Sequence, residues 1–150
     1  IVPVEAARSE QGLSHGAKKR VERWRRIARE ASEQSRRLRA PEIADPVKFA
    51  AAIQAGATHR VWLDEKPGAT ALCRAFQLEP GDTTALMVGP EGGWTEAERS
   101  QLTVAGWTGA SLGPSILRAE TAVCAALAVF AQTGITARQF HDAGTIGISQ

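Results

Sequence analysis

A chain of 150 residues with 43% hydrophobic content can bury one core and is too short for two, so a single domain is expected. No apolar run approaches the roughly 20 residues that cross a bilayer, and no basic segment leads into an apolar one at the start, so neither a membrane span nor a signal peptide is expected. The net charge is only +2, but residues 18–39 hold ten of the eighteen Lys and Arg against Glu22, Glu30 and Glu33, a local +7 that leaves the remainder at −5.

Residues 1–4 read as a short β-like segment, and 9–16 (SEQGLSHG) as a polar surface loop. From Lys18 the residues Val21, Trp24, Ile27, Ala28, Ala31, Ser35 and Leu38 recur at three- and four-residue steps, one face of an α-helix that must end before Pro41. Gln34 lies beside that face, where a buried amide would need partners. The cations of this helix suit an anionic partner such as a nucleic-acid backbone, and they equally suit a solvated face.

Residues 46–55 (PVKFAAAIQA) have helical spacing, and 59–64 (HRVWLD) form a short β-rich segment. A further helix is expected over 71–78 and a buried strand over 84–88 (TALMV), running directly into Gly89. Thr95-Glu96-Ala97-Glu98 is a capping box, in which a hydroxyl and a carboxylate three residues apart satisfy free amides, so a helix is expected over 96–105. A strand over 107–112 and a nearly all-apolar helix over 121–132, buried on several sides, complete the pattern. The tail 140–150 has no clear periodicity. Cys73 and Cys124 lie in apolar surroundings without CxxC spacing or a neighbouring His, so two buried thiols in a reducing cytoplasm are expected, and no metal site. Short apolar strands alternating with helices give an α/β fold with a mostly parallel sheet and helices on both faces.

In such sheets ligands sit beyond the carboxyl ends of the strands, and two loops occupy those places. Gly89-Pro90-Glu91-Gly92-Gly93 offers close backbone approach on a stiffened turn. Its spacing is not GxGxxG, and no GxxxxGK[ST] occurs, which disfavours a dinucleotide-dependent oxidoreductase and favours a nucleoside-like ligand without phosphate. Glu91 could contact that ligand or cap backbone amides. The second loop, 112–121 (LGPSILRAET), joins apolar residues able to line an adenine slot to Arg118 and Glu120 at a helix entrance. A carboxylate there is also what a helix dipole favours.

Together, MVGPEGGWTEAE, SLGPSILRAETA and ERWRRIAREASEQSRR resemble the bacterial 16S ribosomal RNA uracil-N3 methyltransferase family (RsmE) of the SPOUT class. The resemblance implies an α/β knot, with the C-terminal segment threaded into a deep trefoil, one of the rare exceptions to unknotted topology. It implies S-adenosylmethionine as cofactor, with Met87, Gly89, Pro90, Glu91, Gly92, Leu112, Gly113, Ile116, Leu117 and Arg118 lining its pocket and Leu63 as a further candidate. It also implies 16S ribosomal RNA in the small subunit as substrate, a cytoplasmic homodimer, and no metal. Family members begin with a small β-barrel RNA-binding domain and an opening strand of the catalytic domain. Neither is present here, and residues 1–4 match a point inside the catalytic domain, so an amino-terminally truncated catalytic domain over 1–150 is expected.

Methyl transfer from a sulfonium needs binding and orientation more than covalent chemistry from side chains. The N3 of uracil carries a proton and must be unpaired to react. Arg118 is therefore expected to stabilise charge on a uracil carbonyl, while Glu120 or Glu91 orients the base or accepts the proton. Arg23, Arg26, Arg36 and Arg37 are expected to contact RNA backbone; the family commonly has a small residue in place of Arg36, and an added cation is expected to be tolerated without loss. Two alternatives carry the same fold, a cofactor-binding fragment or paralogue without productive RNA binding and an RNA ribose 2'-O-methyltransferase.

Overall fold

The computed structural model describes residues 1–9, 17–66, 68–75, 79, 81–132 and 146–149. Its strands are β1 (Val2–Glu5), β2 (Val47–Lys48), β3 (His59–Leu63), β4 (Thr70–Ala71), β5 (Thr84–Val88), β6 (Thr108–Ser111) and β7 (Ile146–Ser149). The helices are α1 (Ala17–Gln34), α2 (Phe49–Ala52), α3 (Glu96–Val104) and α4 (Ala119–Gln132), with a 3-10 turn at Leu72–Arg74. The strands form one sheet in the order β2-β1-β7-β5-β3-β6-β4. Every adjacent pair is parallel.

Side chains on the central strands alternate between two apolar layers, as the pleat requires. Trp62, Ala85 and Met87 face one layer with Phe49, Trp94, Leu102 and Trp107. Val61, Leu63, Leu86 and Val88 face the other with Ala122, Ala126 and Phe130 of α4. Both faces of the sheet are thus covered, which explains the unbroken apolar runs at 61–63 and 85–88. Trp107 also donates its indole N–H to the Ile53 carbonyl at 2.8 Å, tying β6 to the turn after α2.

Several expectations change. The helical spacing of residues 46–55 yields only one turn, because Val47 and Lys48 are drawn into a ladder with Val4 and Glu5. The helix expected over 71–78 is a 3-10 turn over Leu72–Arg74, and 76–78 lie outside the described residues. Both thiols are exposed, not buried: Cys124 lies on the outward side of α4, opposite Ala122 and Ala126. The end of the tail, without a signal of its own, is β7, placed by pairing with β1 and β5. The implied trefoil knot depends on the path from α4 to β7, residues 133–145, which lie outside the described residues.

Helix α1 ends sooner than its apolar periodicity suggests. The Arg37 amide bonds the Ser32 carbonyl at 2.9 Å and the Arg36 amide the Glu33 carbonyl at 3.1 Å. Arg36 itself has φ 54, the left-handed closing position that glycine usually takes. Any residue with a side chain carries a backbone cost in that conformation. Leu38 consequently lies beyond the helix and is 98% exposed, and Gln34 is exposed and needs no buried partner.

Candidate functional site

Strands β5 and β6 run directly into the two loops singled out in the sequence, and β3 ends beside them. Their carboxyl ends enclose a cleft of about 260 Å³. It is lined by residues 63–65, 88–93, 111–113 and 115–117 and, from the start of α4, by Ala119 and Ala122. The expected residues Leu63, Gly89, Pro90, Glu91, Gly92, Leu112, Gly113, Ile116 and Leu117 are brought together there.

Two others are placed elsewhere. Met87 lies between Leu86 and Val88, so the pleat turns it to the opposite face, where it lines a second cavity of about 380 Å³ with Val4, Ala85 and Trp107. That cavity is the larger, yet it sits on the flank of the sheet rather than at the strand ends where ligands of parallel α/β sheets bind. Arg118 is exposed and outside the lining set; its carbonyl accepts the Ala122 amide at 2.8 Å in the first turn of α4. Glu120 is likewise exposed in that turn.

The glycine loop is held from below by residues that its spacing does not announce. Trp94 is 2% exposed and donates its indole N–H to the Leu63 carbonyl at 2.9 Å. A Cβ on Gly89 would lie 2.9 Å from that nitrogen, so glycine is required for the ring to pass beneath the loop. Arg8 reaches the Gly92 carbonyl at 2.7 Å. The capping box forms as expected, and the buried Glu98 carboxylate also accepts the Ala7 amide at 2.8 Å, joining the amino-terminal segment to α3.

Arg99, 8% exposed, is the most constrained cation near the cleft. Its fork pairs with Asp64 and, at 2.6 Å, with Glu65, both lining residues, while the guanidinium lies 5.5 Å from the Trp62 ring centroid. Burial, and then the neighbouring Arg8, lower its pKa from the ordinary arginine value, though a guanidinium stays charged in proteins. Asp64, Glu65 and Arg99 carry no motif; their signal was two acids just past a strand and an arginine inside an otherwise amphipathic helix.

The lining set contains Asp64, Glu65 and Glu91 and no Lys or Arg. Arg99 offsets the charge of Asp64 and Glu65, which leaves Glu91 as the acid without an ion-pair partner among the described residues, in a lining of apolar walls and glycine backbone with no side-chain cation to hold a phosphate. Among the described residues no group of three or more His, Cys, Asp or Glu is placed to hold a metal ion.

On the basic helix, Arg23 and Arg26 are exposed, Arg26 lies 3.8 Å from Glu30, and Arg36 and Arg37 follow the helix end, also exposed. Arg25 acts within the fold instead. It bonds the Ile43 carbonyl at 3.0 Å and pairs with Glu22 and Asp45, fastening the following segment to the helix. No helix among the described residues is long and apolar enough to cross a membrane.

Comparison with known proteins follows the same lines. An RNA methyltransferase domain model matches residues 1–131. Ribosomal RNA small subunit methyltransferase E of Bacillus subtilis (strain 168) is 38% identical over 135 residues, covering 85% of this chain and 53% of the relative. The protein of the same name from Aquifex aeolicus is 33% identical over 129 residues, covering 86% and 55%. A crystal structure of a ribosomal RNA small subunit methyltransferase E from Neisseria gonorrhoeae bound to S-adenosyl methionine superposes with TM-score 0.74 at 32% identity, covering 88% of this chain and 53% of that one. The chain spans about half the length of the curated relatives it matches.

Proposed function

The chain belongs to the RNA methyltransferase domain family, and on that basis we propose that residues 1–150 are the methyl-donor domain of an enzyme that methylates N3 of a uridine in 16S ribosomal RNA, with S-adenosylmethionine as cofactor. The observation that carries the cofactor reading is the cleft's composition: apolar walls, glycine backbone, the Glu91 carboxylate and no cationic side chain in the lining. The substrate reading draws on the relatives named for the small ribosomal subunit and on the exposed arginines of α1.

When bound, S-adenosylmethionine supplies the methyl group on its sulfonium. The chain's residues do the rest. Leu112, Ile116 and Leu117 offer apolar surface to the adenine, and the backbone of 89–93 approaches the ligand closely because glycine permits it. Glu91, in the lining, orients the base or accepts its N3 proton, with Glu120 as the other acceptor. Arg118, exposed just before α4, stabilises charge on a uracil carbonyl. Arg23, Arg26, Arg36 and Arg37 meet phosphates. The trefoil threading, a cytoplasmic location and a homodimer belong to the same proposal and draw on the resemblance.

The deciding experiment is methyl transfer from labelled S-adenosylmethionine to small ribosomal subunits lacking the modification, followed by nucleoside analysis. Labelled 3-methyluridine is expected. Label in a ribose 2'-O-methyl nucleoside would replace the base-methylation reading, and cofactor binding without transfer would reduce the chain to a binding domain.

A further inference from the structure

Two carboxylates at the cleft have no part in the mechanism above. Asp64 and Glu65 follow β3 directly and both line the cavity. Adjacent acids at one site repel each other unless a cation holds them. Arg99 supplies it from 34 and 35 residues away, one nitrogen to Asp64 and another to Glu65 at 2.6 Å. Its Nε donates to the Trp94 carbonyl at 3.4 Å and its Cζ lies over the Trp62 ring, 5.5 Å from the centroid, so the guanidinium is held by several elements at once.

Glu65 is therefore fixed by one oxygen, Oε1. Its other oxygen accepts no hydrogen bond from the described residues. The glycine loop passes against this carboxylate: at Gly93, φ +67, a Cβ would stand 2.5 Å from Oε1 and 3.7 Å from Oε2. A pre-positioned, half-used carboxylate in a cleft awaits a ligand donor.

Placement selects the donor. Glu65 stands just beyond β3, which pairs in parallel with β5, the strand that carries the glycine loop. In dinucleotide-binding sheets an acid accepts a ribose hydroxyl from a position that follows the glycine loop in sequence; Glu65 precedes its loop, and the likeness is that both acids stand near glycine backbone. The lining residues Leu112, Ile116 and Leu117 leave the adenine to apolar walls and the polar contact to the sugar. We infer that Glu65 accepts hydrogen bonds from the ribose hydroxyls of the bound nucleoside and that Arg99 is the positioning residue that holds it there. This rests on the reading of the cleft as the methyl-donor site.

The test is calorimetric titration of the full chain with S-adenosylhomocysteine and with its 2'-deoxy and 3'-deoxy analogues. A hydrogen bond to a charged group corresponds to roughly a tenfold change in affinity or more. The wild type is expected to bind at least one deoxy analogue about tenfold more weakly than S-adenosylhomocysteine. Glu65→Ala should lose about the same factor for S-adenosylhomocysteine and no longer discriminate between the three ligands, which general loosening of the fold would not produce. Arg99→Lys should weaken S-adenosylhomocysteine binding in the wild-type background and have no further effect beside Glu65→Ala. Retained discrimination in Glu65→Ala overturns the inference while leaving the donor-site reading intact. Failure of the wild type to bind S-adenosylhomocysteine at all overturns both.

Discussion

The indole N–H of Trp94 donates to the carbonyl of Leu63 at 2.9 Å, across 31 residues of sequence, and this bond joins the end of β3 to the underside of the glycine loop. It exists because Gly89 has no side chain. In Gly89→Ala the new methyl would stand 2.9 Å from the indole nitrogen and 3.0 Å from its neighbouring ring carbon. The ring must move and the bond to Leu63 must lengthen. Overpacking of this kind costs about 1–3 kcal/mol, so the urea midpoint should fall with an unchanged m-value, and S-adenosylhomocysteine affinity should fall with it. An unchanged midpoint would show that the ring has room that the geometry denies.

Arg36 occupies a left-handed position at the end of α1. Arg36→Gly relieves that conformation and should stabilise the domain by about 0.5–1 kcal/mol, read as a raised denaturation midpoint. A drop in stability would mean that the arginine side chain contributes more than its backbone costs.

The exposed arginines of α1 and its end should act through phosphate contacts. Replacing Arg23, Arg26 and Arg37 by Ala is expected to weaken binding to a 16S ribosomal RNA fragment and to flatten the plot of log affinity against log salt by roughly 0.7–0.9 per contact removed. Equal slopes for variant and wild type would place the RNA on another face.

Asp82 gives the domain an acid-sensitive contact. Its carboxyl is held below the ordinary Asp value, first by the Glu79 amide at 2.9 Å and next by His59 at 2.8 Å. A depressed carboxylate stabilises the fold at pH above its unfolded value and loses that contribution as pH falls through the folded one. Asp82→Asn should therefore be less stable than wild type at neutral pH, with the two stability curves converging on acidification below the ordinary Asp range. Parallel curves down to the acid limit would assign the bond no linkage to protonation.

Arg118 lies outside the cleft lining, so its removal should leave cofactor affinity near wild type while slowing transfer. Arg118→Ala is expected to lower the single-turnover rate by about a hundredfold or more, the usual effect of deleting a charge-stabilising donor. A wild-type rate would remove Arg118 from the mechanism, and a large loss of S-adenosylhomocysteine affinity would make it a cofactor ligand instead.

What could be read along the chain was what short-range physics specifies. The run Thr84–Val88 and the Thr95 capping box depend on neighbours within a few residues, and the structure has both. The two loops were legible because glycine, proline and a strand end mark them locally, and nine of the expected cofactor residues now share one cleft. Strand parity was also available: with Val88 facing α4, Met87 must face away. Tertiary pairing alone decided the remainder. Arg99 meets Asp64 and Glu65 across 35 and 34 residues, β7 is a strand because β1 and β5 flank it, and Val47 and Lys48 leave their helical pattern for a ladder with β1. These outcomes depend on which distant backbone groups come into hydrogen-bonding range, and no periodicity within one segment encodes that.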